Sequence, residues 1–182
     1  KDCVLYLWAT QPKLKLGLQV MDGWGFEYKS GIMWDKKRVG MGYWARGRHE
    51  LMLIGTRGHK PPPKPKDRPI SVIEEVRSNT HSRKPIKAYE IIEKAFPNDK
   101  KLELFARVTR EGWDSWGNQA PQSIQLDAKE STKNSVLGCQ TSSSGEAQDV
   151  LVIPSITGKD TTITGKDTTV NSTPSTDQKT QE

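Results

Sequence analysis

The sequence of 182 residues has few cysteines, few histidines and no long apolar run, and each shortage excludes a class of protein. Its two cysteines, Cys3 and Cys139, form no disulfide framework, and its three histidines have no zinc-ligand spacing. Without a run of about 18 apolar residues, we expect neither a transmembrane helix nor a membrane partner. Dinucleotide-binding, Walker and H-E-x-x-H motifs are absent too. We therefore expect no metal, and the cysteine usage predicts a cytoplasmic location.

Aromatic residues and charge divide the chain near residue 120. All the aromatic residues lie between Tyr6 and Trp116. Residues 1–120 carry 23 Lys and Arg against 14 Asp and Glu, whereas residues 121–182 carry 5 against 8. The sequence predicts a basic folded domain over 1–120 and a disordered, polar low-complexity tail over 121–182 with one weak strand at 150–153. We expect truncation near Ser123 to leave the thermal midpoint unchanged.

Apolar periodicity predicts alternating strands and helices in the first domain. The run at 4–9 is continuous and rich in β-branched and aromatic residues, which is typical of a strand buried on both faces. Helical spacing follows Pro12 and Pro85. The segments with strand composition are 4–9, 26–34, 51–55, 71–76 and 102–107. This alternation predicts an α/β fold with a mainly parallel sheet.

The segment from Lys36 to Arg68 is strongly basic, with ten Lys and Arg against two acidic residues. Glycines and the rings of Tyr43 and Trp44 are interspersed among the charges. A solvated surface loop explains the charge alone equally well, but the rings favour a polyanion with exposed bases. The residues that we expect to contact nucleic acid are Lys37, Arg38, Tyr43, Arg46 and Arg48.

Two further features precede or begin predicted elements. Glu50 enters a buried strand, where its carboxylate could accept hydrogen bonds from an amine or simply pair with Arg46 or Arg48. Residues 81–85 carry donors just before a helix, a position that suits a carboxylate or phosphate ligand. Capping of the helix by Ser82 is the structural alternative.

Arg107 ends the last predicted strand, and the segment that follows it carries Asn118 and Gln119. Ligands of open α/β sheets bind beyond the carboxyl ends of strands, so these side chains could bind carboxylate and hydroxyl groups. The two tryptophans of this segment, Trp113 and Trp116, could instead form a structural lid.

The order of these features resembles the N6-adenine methyltransferase family that includes the catalytic subunit of the messenger-RNA N6-adenosine methyltransferase. The resemblance covers residues 1–119 and is greatest to bacterial and phage members of the family. Its most specific part is the C-terminal end of that range. There a Lys-Pro pair, a helix and a strand are followed by Phe-x-Arg and Trp-Gly-Asn. The matching segments are 5–10, 24–26, 34–36, 47–51, 81–85, 101–107 and 112–118.

This resemblance implies a Rossmann-like fold that transfers a methyl group from S-adenosylmethionine to the exocyclic amine of adenine in DNA or RNA. The family contacts to the cofactor fall on Lys84, Phe105, Arg107, Asn118 and Gln119. Those to the target adenine fall on Lys36, Glu50 and Ser82. The resemblance leaves open whether the protein is a homodimer or a heterodimer.

The sequence departs from the family at two places. Thr109 and Arg110 stand where the messenger-RNA enzyme has His-Asn, at a ribose contact. The family loop Asp-Pro-Pro-Trp, which precedes the first strand and holds the attacking amine, does not occur in 1–182. We therefore expect this chain alone to be defective in methyl transfer. We also expect it to be the C-terminal part of a longer protein, here called the parent protein, which carries the loop. The rival interpretations are a catalytically silent nucleic-acid-binding partner of the same fold and an unrelated basic α/β binding module.

Overall fold

A computed structural model describes residues 2–80, 83–124 and 149–156 of the chain. These ranges form seven strands and two α-helices, α1 (Leu14–Gly23) and α2 (Ile86–Ala95), with short 3-10 helices at Gln11–Lys13 and Pro65–Asp67. None of the helices in these ranges is long and apolar enough to cross a bilayer. The strands are β1 (Cys3–Ala9), β2 (Glu27–Asp35), β3 (His49–Arg57), β4 (Val72–Glu74), β5 (Lys100–Leu104), β6 (Trp113–Trp116) and β7 (Asp149–Ile156).

All these strands belong to one sheet with the order β4-β2-β3-β1-β7-β5-β6. Strand β3 runs antiparallel to its neighbours β1 and β2, whereas the other neighbouring pairs are parallel. The predicted α/β class is confirmed, but the mainly parallel sheet is a mixed one. The reason is the connection over 36–48, which joins β2 to β3 directly at one edge of the sheet. Without a crossover helix to bring the chain back to the opposite edge, β3 must run antiparallel to β2.

Strand β1 contributes to two hydrophobic cores, one on each face of the sheet. Its side chains Val4, Tyr6 and Trp8 pack with Ala88 and Ile92 of α2. Its alternate side chains pack on the other face against α1. All seven residues of β1 are buried, which confirms the prediction of a strand covered on both sides. Burial of each large apolar side chain contributes about 1.5–3 kcal/mol.

The structure has a strand within each of the five predicted segments and differs from the prediction at their ends. Strand β5 ends at Leu104 because Phe105 adopts a left-handed φ of 59°, so the prediction of a strand continuing to Arg107 is wrong. The prediction also missed β6, which consists of four residues after Gly112 and shows too short an alternation to stand out.

The strand expected at 150–153 is present, and it lies inside the sheet. Strand β7 pairs in parallel with β1 on one side and with β5 on the other. The register slips by one residue near Pro154, whose ring nitrogen has no hydrogen to donate to the ladder. The sheet thus continues beyond residue 120, although 125–148 and 157–182 lie outside the described residues.

This position of β7 reverses the expectation for truncation. Ending the chain after Ser123 would remove the strand that joins β1 to β5, and with it hydrogen bonds on both sides. Losing about four such bonds at about 1 kcal/mol each lowers the thermal midpoint by roughly 10–20 °C. Val152→Pro should also lower it, because proline has no N–H to donate within the sheet, whereas Val39→Ala, at an exposed valine, should change it little. Calorimetry of the three variants tests this, and an unchanged midpoint for the truncated chain contradicts it.

The strand directions bring several chain segments to one edge of the sheet, which we call the carboxyl edge. Every strand except β3 ends there. The antiparallel β3 begins there, with Glu50 opposite Trp34 and Leu51 opposite Ala9. Because ligands of α/β sheets bind at this edge, the topology places Glu50 where ligands are expected.

Candidate active site

Glu50 is held between two lysines at the carboxyl edge. Its Oε1 lies 3.2 Å from Lys36 Nζ, and its Oε2 lies 2.6 Å from Lys84 Nζ. Lys84 reaches it from the segment before α2, and its side chain is only 6% exposed. The structure thus brings together three of the predicted site residues, and Glu50 pairs with these lysines rather than with the arginines that sequence proximity suggested.

The two lysines keep Glu50 ionised. Burial by itself would raise the pKa of Glu50, but the charges and hydrogen bonds of Lys84 and Lys36 outweigh it and lower that pKa. Burial lowers the pKa of Lys84, the charge of Glu50 opposes this shift, and Lys36 and Arg107 add to it. Glu50 is therefore a hydrogen-bond acceptor near neutral pH and has little tendency to take up a proton.

Trp8, near the end of β1, packs against the side chain of Lys84. The ammonium of Lys84 lies 5.0 Å from the centre of the Trp8 ring, close enough for a cation–π contact. Trp34 packs edge-on against Trp8 with ring centres 6.0 Å apart, and its indole N–H donates to the Glu75 carbonyl over 2.8 Å. Trp8 does not stand out as a site residue in the sequence, because the apolar run around it indicates only a core strand.

The segments after β5 and β6 cross closely at the same edge. Ala106 donates its N–H to the Trp116 carbonyl over 3.0 Å, and the rings of Phe105 and Trp116 meet edge to face at 5.6 Å. A Cβ added at Gly117 would lie 2.6 Å from Ala106 N and would overlap the Ala106 carbonyl oxygen. Only glycine therefore allows this approach.

The crossing carries the other predicted cofactor residues. Phe105, Arg107, Asn118 and Gln119 are all exposed on either side of it. The charge of Arg107 acts on Lys84, which links this crossing electrostatically to the Glu50 group. The turn after Arg107 is anchored to α2 through Arg110, whose Nε and Nη2 donate to the two Glu93 oxygens over 2.6 and 2.9 Å.

The N-terminus of α2 binds a carboxylate of the protein itself. The N–H groups of Ile86 and Lys87 donate to the Glu75 oxygens over 3.0 and 3.1 Å. The N–H groups at the start of α2 therefore bind Glu75, whereas the anion site expected at the donors of 81–85 stays a prediction; Lys84 of that segment contacts Glu50. Ser82, predicted to contact the target adenine, lies outside the described residues.

The predicted nucleic-acid residues fall on the connection 36–48, but two of them have acidic partners. Arg48 forms two hydrogen bonds of 2.7 Å with Asp35, and Lys37 Nζ lies 3.0 Å from both Asp35 and Glu74. The hydrogen bonds of Arg48 hold the pKa of Asp35 well below its usual range. Sequence reasoning missed Asp35, although it directly precedes the basic run.

The other three predicted residues of this connection have no acidic partner within the part of the chain that the structure describes and are exposed. Arg38 donates to the Asn79 side-chain oxygen over 3.1 Å. Tyr43 and Arg46 are exposed. Across the described residues, no group of three or more His, Cys, Asp or Glu is arranged to hold a metal ion.

Comparisons with known proteins place this geometry in a family. A family model described as MT-A70 matches residues 1–119. The type II methyltransferase M.MunI of a Mycoplasma species is 35% identical over 121 residues, which are 66% of this chain and 52% of that protein. An N(6)-adenosine-methyltransferase MT-A70-like protein of Arabidopsis thaliana is 34% identical over 128 residues, covering 65% of this chain and 18% of the relative.

The human N(6)-adenosine-methyltransferase catalytic subunit METTL3 is 32% identical over 131 residues, covering 65% of this chain and 22% of the relative. The chain thus spans about half the length, or less, of the curated relatives that it matches. The resemblance found in the sequence is confirmed. Since the family model extends from β1 past the crossing after β6, the chain belongs to the MT-A70 family.

Proposed function

We propose that the chain forms the cofactor-binding and amine-positioning part of a Rossmann-like methyltransferase that uses S-adenosylmethionine to methylate the N6 amine of adenine in DNA or RNA. The observation that carries the proposal is Glu50, held by Lys36 and Lys84 at the carboxyl edge, with the charge of Arg107 from the crossing acting on Lys84. The M.MunI and METTL3 names support the reaction class.

The side chains at the crossing suit this cofactor. Lys84 and Arg107 offer cations to an amino-acid carboxylate, and Asn118 and Gln119 offer amide groups to ribose hydroxyls. The exposed Phe105 ring offers a flat apolar surface to a base. When bound, S-adenosylmethionine supplies an electrophilic methyl group on a sulfonium. The close approach at Gly117 keeps the polar groups of the two segments within one small area.

Glu50 orients the target amine in this proposal. The nitrogen lone pair of an adenine amine is delocalised into the ring, so catalysis requires acceptors that bind its hydrogens and fix its direction. Glu50 is an acceptor-only group when it is ionised, and Lys36 and Lys84 fix the direction in which its two oxygens accept hydrogen bonds. Lys36 and Lys84 hold the carboxylate in place, and Ser82 is proposed as a further contact to the adenine.

A second acceptor group comes from elsewhere in this proposal. We propose that the family's Asp-Pro-Pro-Trp loop, in a protein that carries it together with this domain, meets Glu50 at the carboxyl edge. Activity is therefore expected of the parent protein rather than of residues 1–182 alone.

The connection 36–48 is proposed to bind the nucleic acid. Arg38, Tyr43 and Arg46 contact it from the exposed part of the connection. Lys37 and Arg48 are each paired with Asp35, so each must break that ion pair before it can bind a phosphate group. We therefore expect Arg46→Ala to reduce the dependence of binding on salt more than Lys37→Ala does.

The test is transfer of a labelled methyl group from S-adenosylmethionine to adenine-containing DNA and RNA by the parent protein. We expect incorporation that Arg107→Ala reduces at subsaturating cofactor and that Lys29→Ala, an exposed cation on β2, leaves unchanged. Nucleic-acid binding without any methyl incorporation would instead support a catalytically silent partner of the same fold.

A further inference from the structure

The connection 36–48 is a tight hairpin whose apex is Tyr43-Trp44. Its arms are joined by hydrogen bonds from Lys36 N to the Arg48 carbonyl, 3.0 Å, and from Gly40 N to the Gly47 carbonyl, 2.6 Å. A Cβ on Gly40 would lie 2.9 Å from the Gly47 oxygen, and one on Gly42 would overlap the Ala45 oxygen. The glycines thus allow the two arms to approach closely, and the hydrogen bonds between the arms constrain the apex.

This apex presents two adjacent aromatic rings to solvent. Tyr43 and Trp44 are fully exposed, and Met41 beside them is 87% exposed. The other tryptophans of the chain are buried or half-buried. Exposed apolar groups of this size on a constrained support are typical of interaction surfaces.

The charge around the apex indicates the kind of partner. Arg46 follows the rings directly and is exposed, and Arg38 lies on the opposite arm. No acidic residue occurs from Lys36 to His49. A nucleic-acid strand offers both kinds of group that this apex could bind, because its base faces can stack on the rings and its phosphates can pair with the arginines.

We propose that Tyr43 and Trp44 form a stacking platform for unpaired bases of the substrate strand that flank the target adenine. The proposal rests on the proposed function, because it takes the substrate to be a nucleic acid. Stacking on a ring requires a base that is not covered by its neighbours, so the platform selects single-stranded or locally opened substrate over a closed duplex.

The hairpin places this platform near the methylation site. Its base is Lys36, whose Nζ contacts Glu50. The seven residues from there to Tyr43 reach at most about 25 Å when extended. At about 3.4 Å per base step, the stacked bases belong to nucleotides within roughly seven positions of the target.

The experiment measures binding of an adenine-containing oligonucleotide by the parent protein, with the strand single or paired to its complement. Loss of one stacking ring should weaken single-strand binding by about 5- to 150-fold. We expect this for Trp44→Ala, with a smaller loss for Trp44→Phe, which keeps a ring. The slope of affinity against salt should be unchanged, because no phosphate contact is removed. Tyr28→Ala, a half-exposed aromatic on β2, is the matched control.

Three results would overturn the platform. The first is that Trp44→Ala leaves single-strand binding unchanged, and the second is that it weakens single-strand and duplex binding equally. The third is that it alters only the sedimentation of the protein, which would show that the apex is a self-association surface. Methyl incorporation by the same variants separates the two proposals. If the wild-type protein methylates nucleic acid and the Trp44→Ala variant binds single strands normally, the platform is refuted. The proposed function is not contradicted by that result.

Discussion

Glu50→Gln is expected to lower methyl transfer by about 10²–10³-fold, which is the range for removing one preorganised polar group from an active site. Glutamine retains the shape of the side chain but replaces one acceptor oxygen with an amide NH2. That NH2 would face the ammonium of Lys36 or Lys84, both of which now donate to Glu50. The adenine amine therefore loses a charged acceptor and its fixed direction.

The affinity for S-adenosylmethionine should not fall in this variant. Arg107 and the amides after β6 belong to the crossing and are retained in this variant, and loss of the Glu50 charge removes a carboxylate that competes for Lys84. We therefore expect an unchanged or smaller dissociation constant together with the loss of transfer. Equal loss of cofactor binding and transfer would contradict the role of Glu50 as an amine acceptor.

The same substitution should also destabilise the fold, in a way that depends on pH. Removing one member of a buried ion pair costs about 3–5 kcal/mol, and Glu50 and Lys84 are 15% and 6% exposed. Because the pKa of Glu50 is lowered in the folded state, its contribution is present above the ordinary glutamate pKa and is lost as pH falls through the lowered value. The difference in thermal midpoint between wild type and variant should therefore shrink in acid.

The matched control for Glu50 is Glu27→Gln. Glu27 pairs with Lys29 on β2 at 2.6 Å, but its side chain is 75% exposed. Exposed pairs contribute little, so neither transfer nor thermal midpoint should change. Thermal scans at several pH values and single-turnover transfer assays measure both effects.

Gly117→Ala is expected to raise the S-adenosylmethionine dissociation constant by at least about tenfold, equivalent to about 1.4 kcal/mol. The new Cβ would lie 2.6 Å from Ala106 N and would overlap its carbonyl oxygen, so the two segments must separate. The separation breaks the bond from Ala106 N to the Trp116 carbonyl and shifts the residues that follow the two segments, Arg107 and Asn118, relative to each other. Such overpacking also costs about 1–3 kcal/mol of stability.

Gly23→Ala serves as the control for this prediction. Gly23 ends α1, and a Cβ there meets nothing within 4 Å. It should leave cofactor affinity and methyl transfer unchanged. If Gly117→Ala binds the cofactor as tightly as wild type, the crossing does not position the cofactor groups.

Local patterns in the sequence were sufficient to predict much of the framework. The alternation along β1 and the apolar face of α2 reflect burial that depends on near neighbours in the chain, so both were found. Glu50, Lys84 and Arg107 each follow or precede a predicted element, and the sheet brings their segments to one edge.

The features that the sequence did not reveal depend on contacts between distant residues. No local sequence pattern in β3 indicates that it runs antiparallel to β1, and none in β7 indicates that it lies between β1 and β5. The partner of Glu50 is Lys84, 34 positions away, although arginines lie closer in sequence. Glu75 at the N-terminus of α2 and Asp35 beneath the hairpin are ordinary acidic residues until the fold brings donors to them.

The most direct test of the account is a calorimetric titration of the parent protein with S-adenosylmethionine. We predict one binding site, weakened about three- to tenfold by Asn118→Ala through the loss of one hydrogen bond, and weakened further by Arg107→Ala. A fragment of the cofactor that lacks the amino-acid carboxylate should bind wild type and Arg107→Ala equally. If the wild-type protein binds no S-adenosylmethionine, the proposed cofactor site does not exist, and the chain is a nucleic-acid-binding module of this fold.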